Sequence, residues 1–149
     1  MRLIERGLEI SKAQPDIFEL TCMKGQMLHD LGTIDGSIQA YDEALNIAED
    51  DIGRCRAWLG LAAGLRISDR YAEALDILGN AEAAAGGNGL VREQAEIHHI
   101  RGNLYFPMGR IEECAVEHEK SLKYAKQAGS AEAEANALGG LGDANYVAG

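Results

Sequence analysis

Four histidines, three cysteines and two glycine clusters are the features of this 149-residue sequence from which chemistry could be built. His98 and His99 are adjacent, and neighbouring side chains on a helix point about 100° apart, so the two cannot readily chelate one ion. There is no HExxH and no i, i+4 histidine pair; His29 and His118 stand alone. Cys22 and His29 lie seven apart on one helix face, too far for the hydrogen bond that activates a thiol. Cys22, Cys55 and Cys114 form no CxxC motif, and their spacing predicts reduced, partly buried thiols. GGNG at 86–89 lacks the Lys-Ser/Thr of a phosphate-binding loop, and LGGLGDA at 138–144 follows no strand. The paired carboxylates Asp50-Asp51 and Glu112-Glu113 fall at expected helix starts, where the helix dipole favours them. No catalytic residue, cofactor or metal site is expected.

What must position any remaining function is helix. Alanine, leucine and glutamate are abundant, only 2 prolines occur and aromatic residues make up 5%. Charged residues total 14 basic and 24 acidic, a net charge of −10 that repels a phosphate backbone and argues against nucleic-acid binding. No apolar run approaches the roughly 18 residues of a membrane span, and Glu5 and Glu9 interrupt the N-terminal apolar stretch. The expectation is a cytoplasmic protein with no membrane contact.

Three stretches superpose without gaps, beginning at Gly25, Ala62 and Gly102. Each opens on a small residue, with a large one three later (Leu28, Leu65, Tyr105) and an apolar one nine later (Ile34, Tyr71, Ile111). A small residue follows (Ser37, Ala74, Cys114), then a bulky one (Tyr41, Leu78, His118), then another small one (Ala44, Ala81, Ser121). Helices approach closely only where the facing side chains are small, so these slots mark a helix crossing. Gly32 and Gly109 fall where a left-handed residue ends a first helix. Asp69 holds the same place in the middle unit, where it could instead cap the following helix.

The pattern closely resembles the tetratricopeptide repeat, whose opening W-x2-L-G-x2-Y is met by Trp58, Leu61, Ala62 and Leu65, with Ala74, Leu78 and Ala81 continuing it. His98, Arg101 and His118 depart from it. The resemblance implies an all-α fold, a right-handed α-solenoid of antiparallel helical hairpins. Eight helices are expected, near 2–12, 16–31, 34–49, 52–67, 70–84, 90–107, 111–128 and 131–147, with Gly86–Gly89 as the clearest loop between hairpins. One domain over 1–149 divides into a second helix at 1–15, repeats at 16–50, 51–88 and 89–130, and a first helix at 131–149. The spacings of 37, 40 and 40 residues exceed the usual ~34, which predicts long helices and a deep groove.

Both ends fall in mid-repeat, because Gly7-Leu8-Glu9-Ile10 matches Ala44-Leu45-Asn46-Ile47 and Leu138, Leu141 and Gly142 open a fourth unit. This predicts a segment of a longer protein, with exposed ends through which two copies could pair. RGNLYFPMGRIEECAVEHEKSLKYAKQAGS through EANALGGLGDANYVAG resembles the repeat tail of large bacterial adenylate/guanylate cyclases, which implies a signalling parent and no cyclase residue here. In tetratricopeptide arrays the first helices line a concave groove that takes an extended or helical peptide. Carried over, that groove comprises Gln26, His29, Leu59, Arg66, His99, Asn103, Phe106, Asp143 and Tyr146, with Cys22, Ala63 and Gly139 beside them. Asn103 alone occupies a clamp-like place, with Cys22 and Leu59 where lysines are needed, so a co-chaperone role is not expected. The function read from the sequence is non-catalytic binding of a protein or peptide partner; a free-standing adaptor or self-associating scaffold is the alternative.

Overall fold

The computed structural model describes residues 1–10 and 14–149. Eight helices follow one another in the described residues: α1 Arg2–Ile10, α2 Gln14–Asp30, α3 Ile34–Ile47, α4 Asp51–Ile67, α5 Tyr71–Gly87, α6 Val91–Tyr105, α7 Ile111–Ala128 and α8 Ala131–Ala148. Helix order and number agree with the repeat register. Residues 11 and 12, expected at the end of the first helix, lie outside the described residues. Gly86 and Gly87, expected in a loop, continue α5, and the turn falls instead on Asn88–Leu90 around Gly89 at φ 65°. The chain forms two compact units, Met1–Ala81 and Glu82–Gly149.

Left-handed residues end the first helices as the sequence suggests, with Gly32 at φ 75° and Gly109 at φ 73°. Asp69 is the difference. It takes the left-handed turn itself at φ 58°, a conformation that Asp tolerates better than most side chains. Its carboxylate accepts the Tyr71 hydroxyl at 2.6 Å instead of capping α5. Asp50 does cap α4, accepting the Gly53 amide at 2.7 Å.

Inside the first unit, α3 packs on both α2 and α4. Tyr41 is the wedge: a Cβ at Gly25 of α2 would lie 2.8 Å from its ring, and one at Gly60 of α4 would overlap the ring outright. Glycine is required here for space. Beside it, the Ser37 hydroxyl donates to the Gly25 carbonyl at 2.8 Å, so the small slot also closes a polar link across the crossing. Cys55, Ala62, Leu65, Ala74, Leu78 and Ala81 complete this core.

The second unit repeats the device. His118 of α7 occupies the slot of Tyr41, wedged between Gly102 of α6, whose Cβ would lie 2.6 Å away, and Gly140 of α8. The Ser121 hydroxyl donates to the Ala95 carbonyl at 2.8 Å. The departures at His98 and Arg101 belong to one polar layer. His98 Nδ1 lies 2.7 Å from Glu117, Arg101 bridges Glu117 at 3.3 Å and Glu82 at 2.6 Å, and Lys120 reaches Glu117 at 2.7 Å. His98 also stacks flat on Tyr124, with centroids 5.5 Å apart. Burial alone would raise the Glu117 carboxyl. The hydrogen bonds from His98 and Lys120, with the charge of Arg101, outweigh burial and hold it down at about 2.

His118 has the opposite problem. It is 1% exposed, and its Nδ1 has no hydrogen-bond partner. Burial pushes its pKa below the ordinary histidine value, against the opposing pull of Asp143 and Glu117. The unfolded chain therefore takes up this proton more readily than the folded one. The His118 contribution is complete above about pH 6.5 and is lost as pH falls through the lowered value. Urea melts of the wild type should show stability declining below about pH 6.5. His118→Leu, the residue type of Leu78 in the matching slot, should flatten that part of the profile; an unchanged slope would assign the acid sensitivity elsewhere.

Candidate functional site

With no ligand present, the candidate site is the stripe that the first helices of each unit leave to solvent. In the first unit this stripe runs along α2 and α4. Gln26 is exposed and donates to Asp30 at 2.8 Å, while Tyr41 leans its hydroxyl toward the Gln26 carbonyl oxygen at 3.4 Å. His29 is half-buried, with Nδ1 3.5 Å from Asp30 and Nε2 unpartnered. Arg66 is half-buried at the end of α4 and has no carboxylate partner among the described residues. Leu59 is 4% exposed and belongs to the core, as does Cys22 at 6%. They offer a ligand no surface.

The same stripe extends one turn further toward the helix starts than the sequence reading placed it. Phe18, Glu19 and Arg56 line a cleft of about 250 Å³ together with Ile47, Ile52 and the Asp50 cap. Arg56 forks onto Glu19 at 2.6 and 3.2 Å and sits 5.6 Å over the Phe18 ring. The signal was available: Glu19 and Arg56 stand three residues before Cys22 and Leu59, one helical turn along the same face.

In the second unit the stripe runs along α6 and α8. Asn103 pairs with His99 at 3.0 Å, and His99 tilts onto the buried His118 with centroids 5.4 Å apart. Asp143 is exposed on α8, and its charge reaches both His118 and the buried Cys114. Phe106, 37% exposed, and Tyr146, 89% exposed, stand at the carboxyl ends of these two helices. At the amino ends a second cleft of about 200 Å³ is lined by Arg92, Glu96, His99, Ile100, Glu132 and Asn136. Glu96 and Asn136 occupy the repeat slot of Glu19 and Arg56. The two units thus present equivalent clefts, each with a polar or charged side chain at that slot.

This stripe offers surface for binding and little for bond-making. All three cysteines are buried, and burial, opposed by Arg56, pushes the Cys22 thiol up to about 11. Burial likewise raises Cys114. Thiols held protonated are poor nucleophiles. Among the described residues no three His, Cys, Asp or Glu side chains converge as a metal site would require, and no helix is long and apolar enough to cross a membrane.

Comparison with known proteins bears on the fold. Residues 19–51 match the tetratricopeptide repeat family. No curated protein sequence matches the chain. Among solved structures, the apo form of RapI superposes with a TM-score of 0.82 at 15% identity, covering 97% of this chain and 54% of RapI. A Rap protein complexed with Competence and Sporulation Factor gives 0.84 at 16%, covering 99% of this chain and 42% of that one. MamA gives 0.63 at 17%, covering 97% of this chain and 84% of its own. The chain therefore spans about half the length of the Rap structures, and at these identities the likeness is one of fold. Residues 19–51 thus match a tetratricopeptide repeat, within a TPR-like fold of helical hairpins.

Proposed function

We propose that this chain is a non-catalytic, cytosolic interaction module whose first-helix stripe binds a peptide or helix of a protein partner. The observation that carries this reading is the recurrence, in each unit, of a cleft at the amino ends of the first helices, continuous with exposed polar and aromatic side chains. In the first unit that surface is Phe18, Arg56, Gln26, His29 and Arg66. In the second it is Glu96, His99, Asn103, Asp143, Phe106 and Tyr146. Rigid aromatic faces beside a guanidinium suit an amphipathic segment, whose apolar side chains pack on the rings while its carboxylates meet arginine. A neighbour of the same fold was solved complexed with a factor, which supports a binding role. A signalling parent such as a nucleotide cyclase is part of this proposal and rests on the sequence resemblance of the last third alone. The alternative of a free-standing adaptor rests on the same surface.

The test is a pull-down with the immobilised chain beside an Arg66→Glu, Phe106→Ala double variant and an Arg56→Glu variant, read by mass spectrometry. All three proteins are first matched for helicity. A partner held by the wild type and depleted at least tenfold by either variant is the expected result. Equal recovery by all three would remove the stripe as the binding surface.

A further inference from the structure

The first unit has another groove, on a side of α4 that the first-helix stripe does not reach. Leu61 and Leu65 each stand two residues after a stripe position, Leu59 and Ala63, and two residues turn a helix through roughly 200°. The two leucines floor a groove of about 490 Å³. Asp35, Ile38 and Asp42 of α3 form one wall; Glu73 and Ile77 of α5, with Arg70 just before it, form the other. Asp35, Ile38 and Asp42 recur at the three- and four-residue spacing of a single helix face, so the two carboxylates flank the isoleucine along about 10 Å of α3.

The recess is apolar by construction. Ile38 lies over Gly64 of α4, where a Cβ would come within 2.8 Å of it. Leu61 and Leu65 close the floor at 7% and 2% exposed, while Ile38 and Ile77 stay half-buried and reachable. The second unit is built differently at these slots. Where Leu61 and Ile77 stand, it holds Arg101 and Glu117, 3.3 Å apart, with Lys120 reaching over Glu117. An ion layer in one repeat is thus an apolar recess in the other.

Charge selects the occupant. Over residues 34–47 and 71–81 the two walls carry Asp35, Asp42, Glu43, Glu73 and Asp76 and no lysine or arginine. Arg70 at the rim is held by Glu73 at 2.6 Å, and the charge of Asp35 reaches it as well. Asp42 is exposed and forms no ion pair among the described residues. A polyamine would leave Ile38 and Ile77 unused, and a nucleic acid or an anionic membrane would be repelled. A ligand that uses both the recess and its rim carries apolar and cationic side chains together. We propose that this groove docks a basic amphipathic helix of a protein partner, its apolar side chains on Ile38 and Ile77 and its lysines or arginines on Asp35 and Asp42. The groove and the stripe are different faces of α4, so either assignment can fail without the other.

The probe that tests this is a synthetic amphipathic helix of about four turns, leucine on one face and lysine flanking it, followed by fluorescence anisotropy. It is titrated with the wild type, with Asp35→Lys plus Asp42→Lys, and with Glu112→Lys plus Glu119→Lys, an equal charge change on exposed positions of α7. Arg56→Glu reports on the stripe. All altered side chains are exposed, and helicity and melting temperature check that each protein folds. The groove variant should bind at least about tenfold more weakly than wild type, and the α7 variant within about threefold of it. A peptide with serine in place of leucine should also lose about tenfold. No binding by the wild type overturns the proposal. So does equal loss in both charge-reversed variants, which would mean attraction to net charge alone. Undiminished binding of the serine peptide overturns it too, as does loss confined to Arg56→Glu, which would put the peptide in the stripe.

Discussion

Arg101→Leu alone and Glu117→Ile alone should each cost about 2 kcal/mol, while the double variant should also cost about 2 kcal/mol, well short of the sum. The substitutions import what the preceding repeat already uses, since Leu61 and Ile77 hold the corresponding slots. Arg101 is 12% exposed and Glu117 7%, so neither charge is well solvated in the fold. Removing one partner of a fully buried pair costs roughly 3–5 kcal/mol because a charge is stranded without water. Here the penalty is smaller because each survivor keeps a partner. Arg101 would retain Glu82 at 2.6 Å, and Glu117 would retain His98 and Lys120, both at 2.7 Å. Removing both charges strands neither of them, two apolar side chains fill the space, and the remaining cost is that of buried His98, whose Nδ1 loses Glu117. Urea denaturation of the four proteins gives the coupling directly. Simple addition of the two single costs would mean that Arg101 and Glu117 act independently and that the layer is not a unit.

The second large effect concerns glycines that look alike in sequence. Gly140→Ala and Gly60→Ala should each destabilise by about 2–3 kcal/mol, because the new methyl would overlap the ring of His118 or Tyr41. Neither ring has free room to move, since Gly102 also crowds His118 and Gly25 also crowds Tyr41. Gly139→Ala, one residue away in α8, meets nothing within 4 Å and should stabilise by about 0.5–1 kcal/mol through helix propensity. Opposite signs at adjacent positions are the result to look for in thermal melts. Tyr41→Leu placed in the Gly60→Ala background should recover part of the loss by supplying a smaller wedge. If Gly140→Ala and Gly139→Ala shift the melting temperature in the same direction, the wedge account fails.

These glycines also show how far the sequence could be read. Gly25, Ala44 and Gly102 declared a helix crossing because small residues at a fixed spacing have few other uses, and the crossings lie where the spacing put them. Gly60 carried no such mark, and Gly140 stood in a cluster on the crossing register with no partner to be read from spacing. They face the second helix of a neighbouring repeat, a contact that depends on how hairpins stack. His98 and Arg101 stood out as departures, yet their shared partner Glu117 lies 16 and 19 residues away and reads in sequence as a solvated acid. The groove stripe was legible as a helix face but not in its depth. Leu59 sits in the core, and Glu19 and Arg56, a turn earlier, line the cleft. A rotation of one helix by a few tens of degrees separates those outcomes, and only packing fixes it.

The polar layer of the second unit has a consequence for how the chain finds its fold. Repeats that share slots invite helices to pair out of turn, a common failure of arrays built from similar modules. α7 set against α4 would bring Glu117 to Trp58 and Leu61, where no cation waits, and the stranded carboxylate would reject the pairing. One ion layer in one repeat thus acts as a key, making otherwise interchangeable hairpins distinguishable during assembly. A protein with Arg101→Leu and Glu117→Ile should refold from urea with lower yield than Gly60→Ala, which loses similar stability but keeps that key.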